Sequence, residues 1–359
     1  MNNEVKHPGK VLQERLNRLN MSRSELAIRT GVSEKHISTV INGSKSISPA
    51  FAKKLAYAFN EKARDWLDIQ TAYDAYCVEM ESENNVSQEE KNVLHSLKDV
   101  VGYFLETGIM HNHCGDIEKV LQLRKILCVS DLASIPKITY NAAYRAQIQS
   151  NSAVNKYVLF AWQRMCEIET DGIPAAGKVS WEELEKAVPQ IKRILLETDI
   201  SKMLSLLSKK LSECGISFSI VHNFPGAPVQ GFIKQCEDGH VVLCLTIRRK
   251  WMDTFIFTLF HEIAHILNGD LSVRFVDFTE EKNEMEKAAD ARARNMLIDP
   301  QLYREFVSNP SNYNNNSCIE NFAKCAGVRP SVVVGRLQND GWLDWSQFNN
   351  LKERLEWKC

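Results

Sequence analysis

The chain has 359 residues, 44% of them hydrophobic, which suffices for two or three folded units with real cores and excludes a disordered or fibrous protein. A formal charge of -1 argues against a surface that is basic all over and coats nucleic acid or membrane. The charge is uneven, however: residues 1–60 carry ten Lys and Arg against four Glu, a surplus of six, so the remainder is mildly acidic.

Four short helices are expected between Pro8 and Asn60. Ser22 and Glu25 have capping-box spacing, with Met21 and Leu26 placed as a hydrophobic staple. Ser33 repeats the device, with Val32 and Ile37 around it, and Gly31 supplies the tight turn between two helices. Ser48 before Pro49 opens the fourth. Such a pair of helices predicts a helix-turn-helix, whose second helix lies in the major groove. Ser33 at its start, then Glu34, Lys35, His36, Ser38 and Thr39, are the candidates for base contact, and Asn42 and Lys45 sit where phosphates would run. Ile37, Val40 and Ile41 are expected to pack on Leu26, Ala27, Leu55 and Phe59. The alternative is a four-helix protein-interaction module with an ordinary solvated basic face.

Residues 61 to about 213 read as mostly helical, with breaks near Glu81 to Asn92 and Gly172 to Gly177. Leu204, Leu207 and Leu211 recur at helical spacing before Gly215. Three β-rich runs follow, Ile216 to Val221, Val229 to Ile233 and Val241 to Ile247, and predict a small sheet. Asp253 or Thr254 is then expected to cap a helix running through His265 and stopping at Asn268 and Gly269, and another helix spans Glu280 to Ile298. The fold class is therefore mainly α with a small β-sheet, an α+β chain. Its expected units are a helix-turn-helix over 1–65, a helical middle region over 66–180 and a metal-binding domain with a helical tail over 181–359.

The ten cysteines are scattered without C-x-x-C spacing, and most are expected to be reduced core residues. The first 30 residues lack an apolar h-region, and the most apolar stretch, Phe255 to Leu267, is broken by two histidines and a glutamate. No leader and no membrane span are expected, and a cytoplasmic location follows.

Residues four apart on a helix share a face, so His261 and His265 can present two imidazoles to one ion. Glu262 beside them is placed to act as general base toward a water. The rest of that helix is apolar, so three ionisable groups on it need a purpose. Imidazole and carboxylate favour zinc, one ion per chain, although ligand type alone leaves manganese and iron open. The acids downstream that could complete the set are Asp270, Asp277, Glu280, Glu281, Glu284, Glu286 and Asp290. Glu286 shares a face with Ala289, Ala293, Met296 and Leu297, whose small members let two helices approach, so it is the chosen third ligand. Asp290, one turn on, is placed to hold a ligating histidine from behind. His240 and Tyr303 are weaker candidates for the donor that steadies an oxyanion.

The segment from Pro225-Gly226-Ala227 through Arg248, Asp253, Phe255 to Glu262, and on to Glu286-Lys287-Ala288-Ala289-Asp290, resembles the ImmA/IrrE family of zinc metallopeptidases. The resemblance implies a zincin-like domain, with His261, His265 and Glu286 as ligands and Glu262 as base. Ala288, Arg292 and Asp299 depart from that family's usual pattern. His7-Pro8-Gly9, Ser22 to Ala27, Gly31-Val32-Ser33, Ile37-Ser38 and Asn42-Gly43 resemble the HigA-type antitoxin repressors of the XRE-like class. That likeness implies a bacterial or phage-related regulator that binds palindromic operator DNA as a homodimer. The leading expectation is a DNA-binding regulator fused to an endopeptidase that cleaves a repressor, toxin or phage protein. The rival is a non-enzymatic antitoxin or repressor that uses the metal domain to sense or grip a partner.

Overall fold

Each of the first four helices begins where a side chain replaces a missing carbonyl acceptor. The computed structural model describes residues 5–111, 115–138, 143–146, 154–227, 229–247, 250–272 and 280–355. Arg248, Asp277, Cys114 and Cys359 lie outside the described residues. His7, Ser22, Ser33 and Ser48 accept from backbone N–H groups at the starts of α1 (Pro8–Arg18), α2 (Arg23–Thr30), α3 (Glu34–Ile41) and α4 (Pro49–Phe59). At the α2 start only half of the capping box is seen: Ser22 Oγ accepts from Glu25 N at 3.0 Å, while the Glu25 carboxylate pairs with Arg29. Gly31 ends α2 in the left-handed region, φ 60°, and turns the chain into α3.

Leu12, Leu16, Leu26, Ile37, Val40 and Leu55 form the core of this bundle, and Trp66 from α5 (Ala63–Asn84) joins it. Gly9 is required by packing: a Cβ there would stand 2.6 Å from the Ile41 carbonyl oxygen. Gln70 of α5 accepts from Ile47 N at 2.8 Å in the interior, so the first turns of α5 are tied to the bundle by polar as well as apolar contact. The described chain divides into two compact units, Met1–Lys91 with Cys114–Leu121, and Asn92–His113 with Gln122–Cys359.

The following helices are α6 (Gln88–Ser96), α7 (Lys98–Glu106) and α8 (Asp116–Ile126), ahead of a short strand β1 (Ala143–Ala146). Then come α9 (Lys156–Thr170), α10 (Trp181–Ile194) and α11 (Ile200–Glu213), on which Leu207 and Leu211 are buried. The expected breaks fall between α5 and α6 and between α9 and α10.

The sheet holds the three expected strands, β2 (Ile216–Ile220), β3 (Val229–Gln235) and β4 (Val241–Leu245), in the order β1-β3-β4-β2. β2 and β4 are parallel, β3 and β4 form an antiparallel pair, and β1 adds antiparallel to β3 with an irregularity at Arg145/Ala146. β1 was not anticipated by the reading of 61–213 as helical. Alternate residues of β3 serve two layers: Phe232 meets Trp162 of α9 edge to face, whereas Ile233 joins the core formed with α11 and α12 (Met252–Asn268).

α12 is buried along nearly its whole length, and Leu259, Phe260 and Ile263 are fully enclosed. Each such side chain contributes roughly 1.5–3 kcal/mol by leaving water. Trp251, not Asp253 or Thr254, stands at its start, because Asp253 is turned into an ion pair with Lys352 at 2.6 Å. Gly269 ends it at φ 79°, as expected. α13 (Glu280–Leu297) packs along α12 through Ala289 and Ala293, both fully buried. α14 (Pro300–Val307), α15 (Asn316–Ala326) and α16 (Pro330–Asn339) complete this unit, α16 lying against α12.

The fold is thus mainly α with a small sheet. Among the described residues no helix is long and apolar enough to cross a membrane. Of the eight described cysteines only Cys166, Cys214 and Cys244 are buried, so the expectation that most serve the core holds for a minority.

Candidate metal centre and helix-turn-helix

Two histidines one turn apart on a buried helix are costly unless each ring nitrogen has a partner. Each of the four has a polar neighbour within 3 Å, although that of His261 Nδ1 lacks hydrogen-bond geometry. His261 Nδ1 lies 2.6 Å from Asp290 Oδ1, and His265 Nδ1 lies 2.9 Å from Asp270 Oδ2. The two Nε2 atoms face each other at 2.8 Å, with Glu286 Oε2 3.4 Å from that of His261 and Glu286 Oε1 3.6 Å from that of His265. Donor atoms of His261, His265 and Glu286 all fall within 4.8 Å of one another. Ligands around one tetrahedral zinc at ordinary bond lengths stand about 3.3 Å apart, so this set fits such an ion with small adjustments.

Asp290 takes the place the sequence predicts, behind His261. Asp270 was one of several acids considered as a third ligand; the structure puts it behind His265 instead. The turn after Gly269 sets its position. A carboxylate just past the end of a two-histidine helix was the available signal. His240 is engaged with Asp238 at 2.5 Å in the turn between β3 and β4, and Tyr303 lies beneath the Arg336 guanidinium.

Glu262 is 2% exposed, and its Oε1 has no hydrogen-bond partner among the described residues. The strand beneath makes room for it. Gly231 of β3 faces the Glu262 carboxylate so closely that an added Cβ would stand 2.6 Å from its Cδ. A carboxylate kept in a glycine-made recess beside two imidazoles, with a lone pair unspent, has the character of a proton acceptor.

The charges around His265 favour its protonated form. Burial works against charging His265, but the Glu286 carboxylate, the negative charge of Glu262 and the bond to Asp270 outweigh it and lift its pKa to about 9. A protonated His265 donates from Nδ1 to Asp270 and from Nε2 into the cluster, which accounts for the short contact with His261.

Two departures from the metallopeptidase pattern have local roles. Arg292 donates to the Leu267 carbonyl at 3.1 Å and to Asn268 Oδ1 at 2.9 Å, and pairs with Glu185. It thereby fastens the last turn of α12, which Trp181 also holds by donating to the Ile266 carbonyl at 2.8 Å. Asp299 accepts from the N–H groups of Gln301 and Leu302 and caps α14.

In the N-terminal unit, Ser33, Glu34, Lys35, Asn42 and Lys45 are exposed on α3 and its flanks. Ser33 accepts from His36 N at 3.2 Å, so its hydroxyl is committed to the cap. His36 is half-buried and meets Phe51 edge to face, and Thr39 donates to the His36 carbonyl at 2.7 Å. Ser38 is also half-buried. Of the expected base-reading residues, Glu34 and Lys35 are therefore the most freely presented.

Comparison with known proteins bears on this unit. Residues 12–67 match the helix-turn-helix family model. The chain is similar to virulence-associated protein I of Dichelobacter nodosus, 32% identical over 79 residues, which are 22% of this chain and 73% of that protein. An uncharacterised HTH-type transcriptional regulator, YddM of Escherichia coli, is 30% identical over 66 residues, 18% of this chain and 70% of that one. A solved addiction module antidote protein of the HigA family from Coxiella burnetii shares 32% identity over 23% of this chain and 89% of its own, with a TM-score of 0.22.

Proposed function

The chain belongs to the helix-turn-helix family of DNA-binding regulators, and on that footing we propose that its second unit is a zinc-dependent endopeptidase acting on a partner protein. Operator DNA is the partner of α3, bound by a homodimer on a palindromic site; a repressor, toxin or phage protein is the substrate class of the other unit. The observation that carries the peptidase reading is the convergence of His261, His265 and Glu286 beside a buried Glu262 whose Oε1 is unpartnered. The ImmA/IrrE-like motif supports it.

His261, His265 and Glu286 would hold the zinc, which supplies a Lewis acid for a peptide carbonyl and a water. Asp290 and Asp270 fix the ring orientations and keep Nε2 of each histidine directed at the cluster. Glu262 takes the proton of the attacking water and returns it to the leaving amine. Its recess over Gly231 holds it in the same place for both transfers.

The test is incubation of the purified chain, and of its Glu262→Gln variant, with the products of neighbouring genes, followed by mass spectrometry. Cleavage by the parent, and loss of at least about a hundredfold in the variant with metal retained, is expected. Equal behaviour of the two proteins would favour the non-enzymatic sensor or antitoxin.

A further inference from the structure

Adjoining the candidate metal cluster, a cavity of about 520 Å³ opens between α12, α13, α16 and the segment around Lys352. This is the size of a small-molecule site. Its lining combines apolar side chains, Phe257, Leu297 and Val332, with Asp253, Arg294, Arg336 and Lys352, which the metal chemistry does not use, and Asp290, which it does.

Two features of those charges point to a ligand. Asp253 lines the cavity and is only 8% exposed; its Oδ2 pairs with Lys352, but its Oδ1 has no hydrogen-bond partner among the described residues. A buried carboxylate oxygen left so is costly, and a donor entering the cavity relieves it. Gly335 lets α16 come within reach of this carboxylate, since a Cβ there would stand 2.6 Å from Asp253 Oδ2. Across the lining, Arg294 and Arg336 share one carboxylate: Asp340 lies 2.6 Å from Arg336 Nε but 3.7 Å from Arg294 NH1. Arg294 Nε is likewise without a partner among the described residues. Arg294 thus has the looser hold on Asp340, and its guanidinium suits a ligand carboxylate.

We propose that this cavity binds a small amphoteric molecule, an amino acid or short peptide with an apolar side chain, its ammonium directed to Asp253 and its carboxylate to Arg294. The apolar side chain packs on Phe257, Leu297 and Val332. The site does not depend on the metal reading, although Asp290 belongs both to the cavity wall and to the His261 pair.

The experiment is titration calorimetry of the full chain with L-leucine and with L-leucyl-L-leucine, which separates a free amino acid from a peptide as the source. The same titrations are run with N-acetyl-leucyl-leucine and leucyl-leucine amide, each lacking one charge. Saturable millimolar or tighter binding of at least one zwitterion is expected, weakened about tenfold or more by either blocked peptide, by Asp253→Asn and by Arg294→Gln. Thr254→Trp, which puts a large ring into the cavity from a half-buried lining position, should abolish it while circular dichroism stays unchanged. Zinc content of the parent and of each variant is measured in parallel, so failure of the metal site is read separately. Absence of binding by both zwitterions, or binding indifferent to Thr254→Trp and to the blocked ends, overturns the proposal.

Discussion

At the scale of single residues, Gly231 and Glu262 form a unit whose parts lie on different elements. The glycine has no turn to make; it is needed because the carboxylate occupies the space its side chain would fill. Gly231→Ala should therefore displace Glu262 or open the sheet beneath it, costing about 1–3 kcal/mol. Thermal unfolding checks the cost, and a fall in cleavage rate with metal content preserved checks the displacement.

His265 makes a second prediction, with a definite sign. Its pKa, raised to about 9 against an ordinary 6.5, means the metal-free protein carries the proton at neutral pH. That proton stabilises the fold fully below about 6.5, and the gain is lost as pH rises through about 9. A metal must expel it, so zinc binding should release a proton at pH 7 and weaken progressively as the solution is acidified. Calorimetry in buffers of different ionisation enthalpy measures the release. No proton released at pH 7 would show that His265 is neutral before metal arrives.

At the scale of elements, periodicity and caps made the helices legible. Ser22, Ser33 and Ser48 each perform the capping their positions promise, and Gly31 and Gly269 end their helices in the left-handed conformation. The choice of Glu286 and Asp290 followed from Ala289 and Ala293, whose small side chains bring α13 against α12. What escaped the sequence depended on partners distant in the chain. Asp253 looks like a cap until Lys352, 99 positions later, takes its carboxylate. The four-residue strand β1 has no pattern of its own and exists through its pairing with β3. Gly9 belongs here too, since α1 approaches α3 only because residue 9 lacks a Cβ. Gly9→Ala should push the α3 carbonyls aside and lower DNA affinity in a gel-shift assay, while metal content stays at the parent value. Unchanged DNA binding would mean the bundle can absorb the methyl group.

At the scale of the whole molecule, the helix-turn-helix and the candidate metal cluster fall in different compact units. The helix-turn-helix match ends at residue 67, and the metal cluster begins at residue 261. The positive surplus of residues 1–60 lies in the first unit, consistent with an electrostatic, salt-sensitive hold on DNA. The three-residue cluster lies in the second, where sequence spacing put His261 and His265 on one helix face with Glu262 at its flank.

Whether this cluster holds a catalytic zinc is decided by elemental analysis of the purified chain beside its His261→Ala variant. One zinc per parent chain surviving gel filtration, none in the variant, and the same DNA binding by both proteins are expected. A parent chain that keeps no zinc after equilibration with it, or a variant that keeps as much, would rule the zinc site out.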